Sequence, residues 1–179
     1  LVEIGFKIID TAIDFCVDWT NDELETIFDQ IKKSYEFYIT RIDEYGMERF
    51  HWSFIDELKN SVKEKKKFYS CGAGIVSLYV KINGDFYACP SCFDSRMKLG
   101  NIYTGYDIEK INFLKKVDTL NNKCNSCKLF SVCGAKGCLV LNLSSNNDMS
   151  IPNYALCSIE KFMYNFYQSK YSHTEVQHD

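Results

Sequence analysis

The sequence predicts an α+β protein, a small cysteine-rich domain with a β-hairpin and flanking helices, preceded by a largely helical segment. Three observations carry this. Apolar residues from Leu24 to Ile42 recur at helical steps. Residues 75–88 are rich in β-branched and aromatic side chains around the turn pair Asn83-Gly84. Four cysteines, Cys124, Cys127, Cys133 and Cys138, fall within fifteen residues.

The chain opens on Leu1 and runs directly into the apolar Ile4-Gly-Phe-Lys-Ile-Ile9, which reads as a strand already inside a fold. An N-terminal part of a longer protein is therefore expected to precede it. Asp10, Asp14 and Asp18 follow at intervals of four, a spacing expected of a solvated loop or helix edge. Cys16, far from the other thiols, is expected to be a buried structural cysteine. Thr20-Asn-Asp-Glu23 has the form of a capping box. The helix after it places Leu24, Ile27, Phe28, Ile31, Tyr35, Tyr38, Ile39 and Ile42 on one face. Tyr45-Gly46 marks its end, and Phe50, Phe54, Ile55, Leu58 and Val62 suggest a second helix. Lys63-Glu-Lys-Lys-Lys67 fits that helix's solvated C-terminal end, where cations favour the dipole. His51 has no second ligand at metal spacing and reads as an ordinary histidine on an aromatic face.

A composition shift at Tyr69-Ser-Cys-Gly-Ala-Gly74 places a domain boundary just before it. Ile75–Ile82 reads as one strand, Asn83-Gly84 as a two-residue hairpin turn, and Asp85-Phe-Tyr-Ala88 as the return strand. An antiparallel pair brings the start of its first strand beside the end of its second. Cys71 and Cys89, eighteen residues apart, lie at those two points, and after Pro90-Ser91 turns the chain Cys92 is a third thiol at the same end. Leu99-Gly-Asn-Ile-Tyr-Thr-Gly105 predicts a short strand or turn. It leads to a helix capped near Asp107, with Ile108, Ile111, Leu114 and Val117 on its apolar side.

The dense motif follows with the spacing Cys-x2-Cys-x5-Cys-x4-Cys. Thiolates gathered from short loops hold soft metals and iron–sulfur clusters. Leu139-Val-Leu-Asn-Leu143 is a short apolar segment, Ser144–Ser150 a polar loop, and Cys157 opens a helix running to about Tyr167. The tail from Ser169 is polar and expected to fray, which leaves His173 and His178 unsuited as ligands.

Composition removes several classes of function. A net charge of -3 gives no electrostatic case for nucleic acid or an anionic membrane surface as a partner. No apolar run approaches the ~20 residues needed to span a bilayer, and no signal-peptide pattern opens the chain, so the expected location is cytoplasmic. Nine cysteines, an odd number clustered at short spacings, then point to metal rather than to a disulfide framework. A thioredoxin-like role for Cys89-Pro-Ser-Cys92 lacks the surrounding βαβ pattern.

The whole cysteine order resembles the SPASM domain of radical S-adenosylmethionine enzymes. Cys71, Gly84 and Cys89, the group from Cys124 to Cys138, and Cys157 match that family's seven-cysteine pattern, and the Cys71-Gly-Ala-Gly and Leu99-Gly-Asn-Ile segments also resemble it. Residues 1–68 more loosely resemble the end of the preceding partial α/β barrel and its helical linker, particularly in peptide-maturing enzymes. The implied domains are thus 1–68 for the barrel end and linker, 69–168 for the SPASM domain, and 169–179 for the tail.

The resemblance implies two auxiliary 4Fe-4S clusters. Cys71, Cys89 and Cys138 would ligate the first, and Cys124, Cys127, Cys133 and Cys157 the second. Cys92 lies outside the pattern and either closes the first cluster or stands by, leaving an iron open to a substrate thiolate. The spacing before Cys138 is four where the family usually has three, a residue that Gly134 and Gly137 are expected to absorb through permissive backbone angles. Lys136, close to Cys138, reads as a solvated lysine. The Cys-x3-Cys-x2-Cys triplet that holds the catalytic cluster in such enzymes does not occur here. S-adenosylmethionine and a third 4Fe-4S cluster would belong to the missing barrel, and this segment alone is expected to be inactive. The implied function is that of the C-terminal portion of an oxidoreductase that modifies a peptide, with an electron donor or acceptor protein as a further partner. The alternative is a structural zinc-binding scaffold or interaction module, built on Cys89-x2-Cys92 and Cys124-x2-Cys127 with Cys133, Cys138 and Cys157 contributing to another site.

Overall fold

Helix α1 (Asn21–Tyr45) begins where its capping box predicts. The Thr20 N–H donates to Glu23 Oε2 at 2.8 Å, and the Glu23 N–H donates to Thr20 Oγ1 at 3.3 Å, so two backbone donors without helical partners are satisfied reciprocally. The Thr20 N–H, and then its hydroxyl, hold the Glu23 carboxyl below its ordinary pKa. A computed structural model describes residues 1–45, 51–52, 55, 71–117, 120 and 122–171 of the chain. They fall in two compact units, Leu1–Lys65 with Tyr154–Asp179, and Lys66–Asn153.

In the first unit, α1 buries Leu24, Ile31, Tyr35 and Tyr38, the three- and four-residue steps of one face. A C-terminal helix (Tyr154–Tyr171) meets it with Ala155, Ile159, Met163, Phe166 and Tyr167. Phe28 stacks on Phe162 with centroids 4.3 Å apart, and Tyr35 meets Phe166 edge-on at 5.1 Å. The helix extends past the expected Tyr167 because Ser169 and Lys170 bring no glycine or proline to stop it, and Ser169 Oγ donates to the Phe166 carbonyl. Cys157 is its fourth residue rather than its opening.

Strand β1 (Ile8–Ile9) pairs in parallel with β2 (His51–Trp52). The expected strand over Ile4–Ile9 is cut short because Val2–Ile4 forms a 3-10 turn that Gly5 ends at φ 94. His51 and Trp52, which fall within the span of the expected second helix, are in a strand. Trp52 is buried and its indole N–H donates to Thr11 Oγ1 at 2.9 Å. Ile55 is helical and buried, but the rest of that expected helix, the Lys63–Lys67 run, His173 and His178 lie outside the described residues. Cys16 is exposed, contrary to expectation. Its N–H donates to Asp14 Oδ1 at 2.8 Å in a tight turn, and Ile13, Phe15 and Trp19 supply the buried surface of this stretch instead.

In the second unit, β3 (Tyr79–Val80), β4 (Asp85–Tyr87), β5 (Lys98–Asn101) and β6 (Gly105–Tyr106) form one antiparallel sheet in that order. Tyr79 pairs with Tyr87 and Val80 with Phe86, so the expected hairpin is present. Its turn differs in type. The Gly84 N–H donates to the Lys81 carbonyl and the Lys81 N–H to the Asp85 carbonyl, with Gly84 at φ 83 and Asn83 outside the left-handed region. That is a three-residue turn with glycine at the bulge. The first strand is also shorter than Ile75–Ile82, because Gly72 and Gly74 adopt positive φ and turn the chain through Ile75–Ser77.

Helix α2 (Ile108–Leu114) follows, capped by Asp107 Oδ1, which accepts from the Lys110 N–H at 3.0 Å. Leu114 and Val117 are buried, but Ile108 is exposed and Val117 lies beyond the helix. The short α3 (Asn122–Asn125) precedes the dense cysteine turns. The apolar run at Leu139 and the first part of the expected polar loop form a single helix, α4 (Leu139–Asn146), which ends at Asn147 with φ 54. Its Leu139 and Leu143 join Phe86, Met97, Leu99, Leu114 and Val117 in the unit's core. The C-terminal helix of the first unit is α5.

Candidate metal centre

Three segments carry the thiols of the Lys66–Asn153 unit into its loops. Cys71 sits on the turn made by Gly72 and Gly74. A Cβ on Gly74 would stand 2.9 Å from Ala88, Leu99 and Leu114, so the Cys71 loop is pressed directly onto the core. The Cys71 thiol points to the Gly137 carbonyl at 3.9 Å, which ties this loop to the residue before Cys138. Cys89 follows β4 and pairs with Cys92 through an isolated antiparallel bridge, the Cys92 N–H donating to the Cys89 carbonyl at 3.4 Å. Both are half-buried against the core.

Cys138 is the residue before α4, half-buried. Burial pushes its thiol pKa up, the Leu141 N–H pulls the other way, and Cys71 and Cys89 raise it further. The 3.9 Å approach of the Cys71 thiol to the Gly137 carbonyl brings Cys71 beside Cys138 from sixty-seven residues away in the sequence.

Arg96 lies on the Cys92 side and was not singled out by the sequence. Asp94 holds it through two bonds, Nε to Oδ1 at 2.9 Å and Nη2 to Oδ2 at 2.7 Å, and Nη1 donates to the Asn147 carbonyl at 2.9 Å. Its pKa is raised first by Asp94, with a smaller contribution from Cys92, and the same pairing lowers that of Asp94. The signal was the local Asp-x-Arg pattern just after Cys92.

The dense motif is a chain of tight turns around the buried Leu129. The Cys127 N–H donates to the Cys124 carbonyl at 2.9 Å, the Phe130 N–H to Cys127 at 3.0 Å, and the Cys133 N–H to Leu129 at 2.8 Å. The extra residue before Cys138 is taken up by a 3-10 turn, Ala135–Gly137, with Gly134 at an ordinary φ of -83 rather than in a glycine-only region. The Lys136 side chain lies outside the described residues. Cys157 belongs to the other compact unit, half-buried in the first turn of α5.

None of the nine cysteines is joined in a disulfide. Among the described residues, no three His, Cys, Asp or Glu side chains stand at the spacing that would hold a metal ion. Zinc draws its thiolates to about 2.3 Å, whereas a four-iron cluster is a broader body that separates its ligands more widely. The donors these loops carry are all thiols, the donor type that holds iron–sulfur clusters.

Two solved structures share this architecture. Native anSMEcpe with bound AdoMet matches with a TM-score of 0.51 at 18% identity, covering 87% of this chain and 42% of that one. A histidine-tagged form of anSMEcpe, also with bound AdoMet, matches with a TM-score of 0.50 at 20% identity, covering 86% and 40%. The likeness shows the fold. The chain spans less than half the length of these neighbours. No protein-family model and no curated protein matches the chain. No helix among the described residues is long and apolar enough to cross a membrane.

Proposed function

We propose that this chain is the C-terminal portion of a radical S-adenosylmethionine, SPASM-type oxidoreductase that modifies a peptide. It would bind two auxiliary 4Fe-4S clusters that pass electrons or position substrate. The observation that carries this reading is the meeting of distant cysteine segments, the Cys71 thiol lying 3.9 Å from the carbonyl of Gly137 beside Cys138, while Cys89 and Cys92 are bridged to each other against the core. A packed core has no need of thiols drawn together in this way. The structural neighbours support it, since anSME denotes an anaerobic sulfatase-maturating enzyme and is itself a radical enzyme of this type.

In this reading Cys92, bridged to Cys89, supplies the fourth thiolate of the first cluster. The resemblance to the SPASM pattern would assign Cys124, Cys127, Cys133 and Cys157 to the second. When bound, each cluster supplies one-electron transfer at a potential set by charge and hydrogen bonding around its sulfurs. The residues of this chain then have defined work. The Leu141 N–H favours the Cys138 thiolate, the Cys71 and Cys89 loops resist displacement because their neighbours are core residues, and Arg96 places a cation on the Cys92 side. A fourth thiolate from Cys92 would complete the ligand set of the first cluster and favour electron transfer over binding of a substrate thiolate. The peptide, S-adenosylmethionine and an electron-carrier protein meet the complete cytoplasmic enzyme rather than this segment alone.

Single cysteine variants test this. Cys138→Ser and Cys127→Ser, reconstituted without oxygen, should each lose about four of roughly eight irons per chain. They should remove different components of the paramagnetic resonance spectrum of the reduced protein. Full iron content in Cys138→Ser, with an unchanged spectrum, sinks the assignment.

A further inference from the structure

Asn142 and Asn153 are the buried polar residues of the described chain, 0% and 7% exposed. Both belong to the Lys66–Asn153 unit. Burying an amide is costly unless its hydrogen bonds are made, and here they are. Asn142 Nδ2 donates to the Met149 carbonyl at 3.0 Å, and Asn142 Oδ1 accepts the Asn153 N–H at 3.1 Å. One side chain thus grips two points of the segment that follows α4.

The grip bears on the thiol site through the helix. The Asn142 N–H donates to the Cys138 carbonyl at 3.0 Å, so the two residues are one turn apart at the start of α4. Leu139 and Leu143 seat α4 in the core, but apolar contacts tolerate small rotations of a short helix about its axis. Two directional hydrogen bonds from a fully buried amide do not. The rotation of α4 sets where the Cβ of Cys138 aims, and the Cys71 thiol lies 3.9 Å from the carbonyl of Gly137, the residue before Cys138.

We propose that Asn142 is a positioning residue for Cys138, fixing the rotation of α4 so that this thiol meets the ligand set of the first cluster. The proposal rests on the reading of Cys138 as a cluster ligand. Nothing about the spacing of cysteines calls for this asparagine. It stands alone as a polar residue within the apolar run Leu139-Val-Leu-Asn-Leu143.

The test compares Asn142→Leu with Asn146→Ala in the full chain, reconstituted without oxygen and kept well below both melting temperatures. Asn146 also ties α4 to the following segment, through Nδ2 to the Ile151 and Pro152 carbonyls at 3.0 and 3.3 Å, but from the exposed end of the helix. Asn142→Leu should keep its far-ultraviolet circular dichroism yet fall from about eight to about four irons per chain, losing the same resonance component that Cys138→Ser loses. Asn146→Ala should keep both the iron and the component. Full iron and an unaltered spectrum in Asn142→Leu, or equal losses in the two variants, overturns the proposal. Wild-type protein that holds no iron overturns instead the functional reading on which it rests.

Discussion

Asp85 shows how much of a residue's chemistry is tertiary. Its carboxylate takes the Lys98 ammonium at 2.7 Å and the Asn101 amide at 2.8 Å, and these bonds, with Lys98 first, hold its pKa at about 2. Lys98 shifts upward in return. Because the folded pKa lies below the unfolded value of about 3.9, the carboxylate stabilises the fold above that value and loses its effect as pH falls through about 2. Asp85→Asn should therefore lower the melting temperature at pH 7, with the gap to wild type shrinking by roughly half at pH 3. A gap that stays constant between those pH values contradicts the assignment. Only Asn83, whose Nδ2 donates to Asp85 Oδ2 at 3.0 Å, is a local partner, and the two larger contributions come from Lys98 and Asn101 on β5 across the sheet. Cys16 failed for the related reason that its exposure is decided by an Asp14 turn and by which neighbours pack inward.

Elements defined by local chemistry were legible. The Thr20–Glu23 box starts α1 because both partners lie within one turn. Thr20→Ala should destabilise the first unit by about 1 kcal/mol in urea unfolding. An unchanged midpoint would show that the box is geometrically present but energetically idle. Strands were harder to read. The expected runs Ile4–Ile9 and Ile75–Ile82 shrank to two residues each, since Gly5, Gly72 and Gly74 take left-handed backbone and a composition scan weighs only the β-branched residues around them. Leu139–Leu143 could not be assigned to helix or strand by periodicity, because a buried run of five residues satisfies both. Its helical state is what places Cys138 at a helix start and Asn142 one turn on.

At the scale of the molecule, the cysteine order carried most of what was legible. The hairpin that separates Cys71 from Cys89 is present, and the approach of the Cys71 thiol to the Gly137 carbonyl beside Cys138 is a contact that spacing alone does not reveal. Cys157 belongs to the compact unit built on α1 and α5. The central claim is that these thiols are built for iron and sulfide. The deciding measurement is iron, sulfide and zinc content with an absorption spectrum, on protein prepared and reconstituted without oxygen. Two auxiliary clusters predict roughly eight iron and eight sulfide per chain with broad charge-transfer absorption. Colourless protein that retains about two zinc ions through reconstitution would contradict that claim and make the chain a structural zinc scaffold.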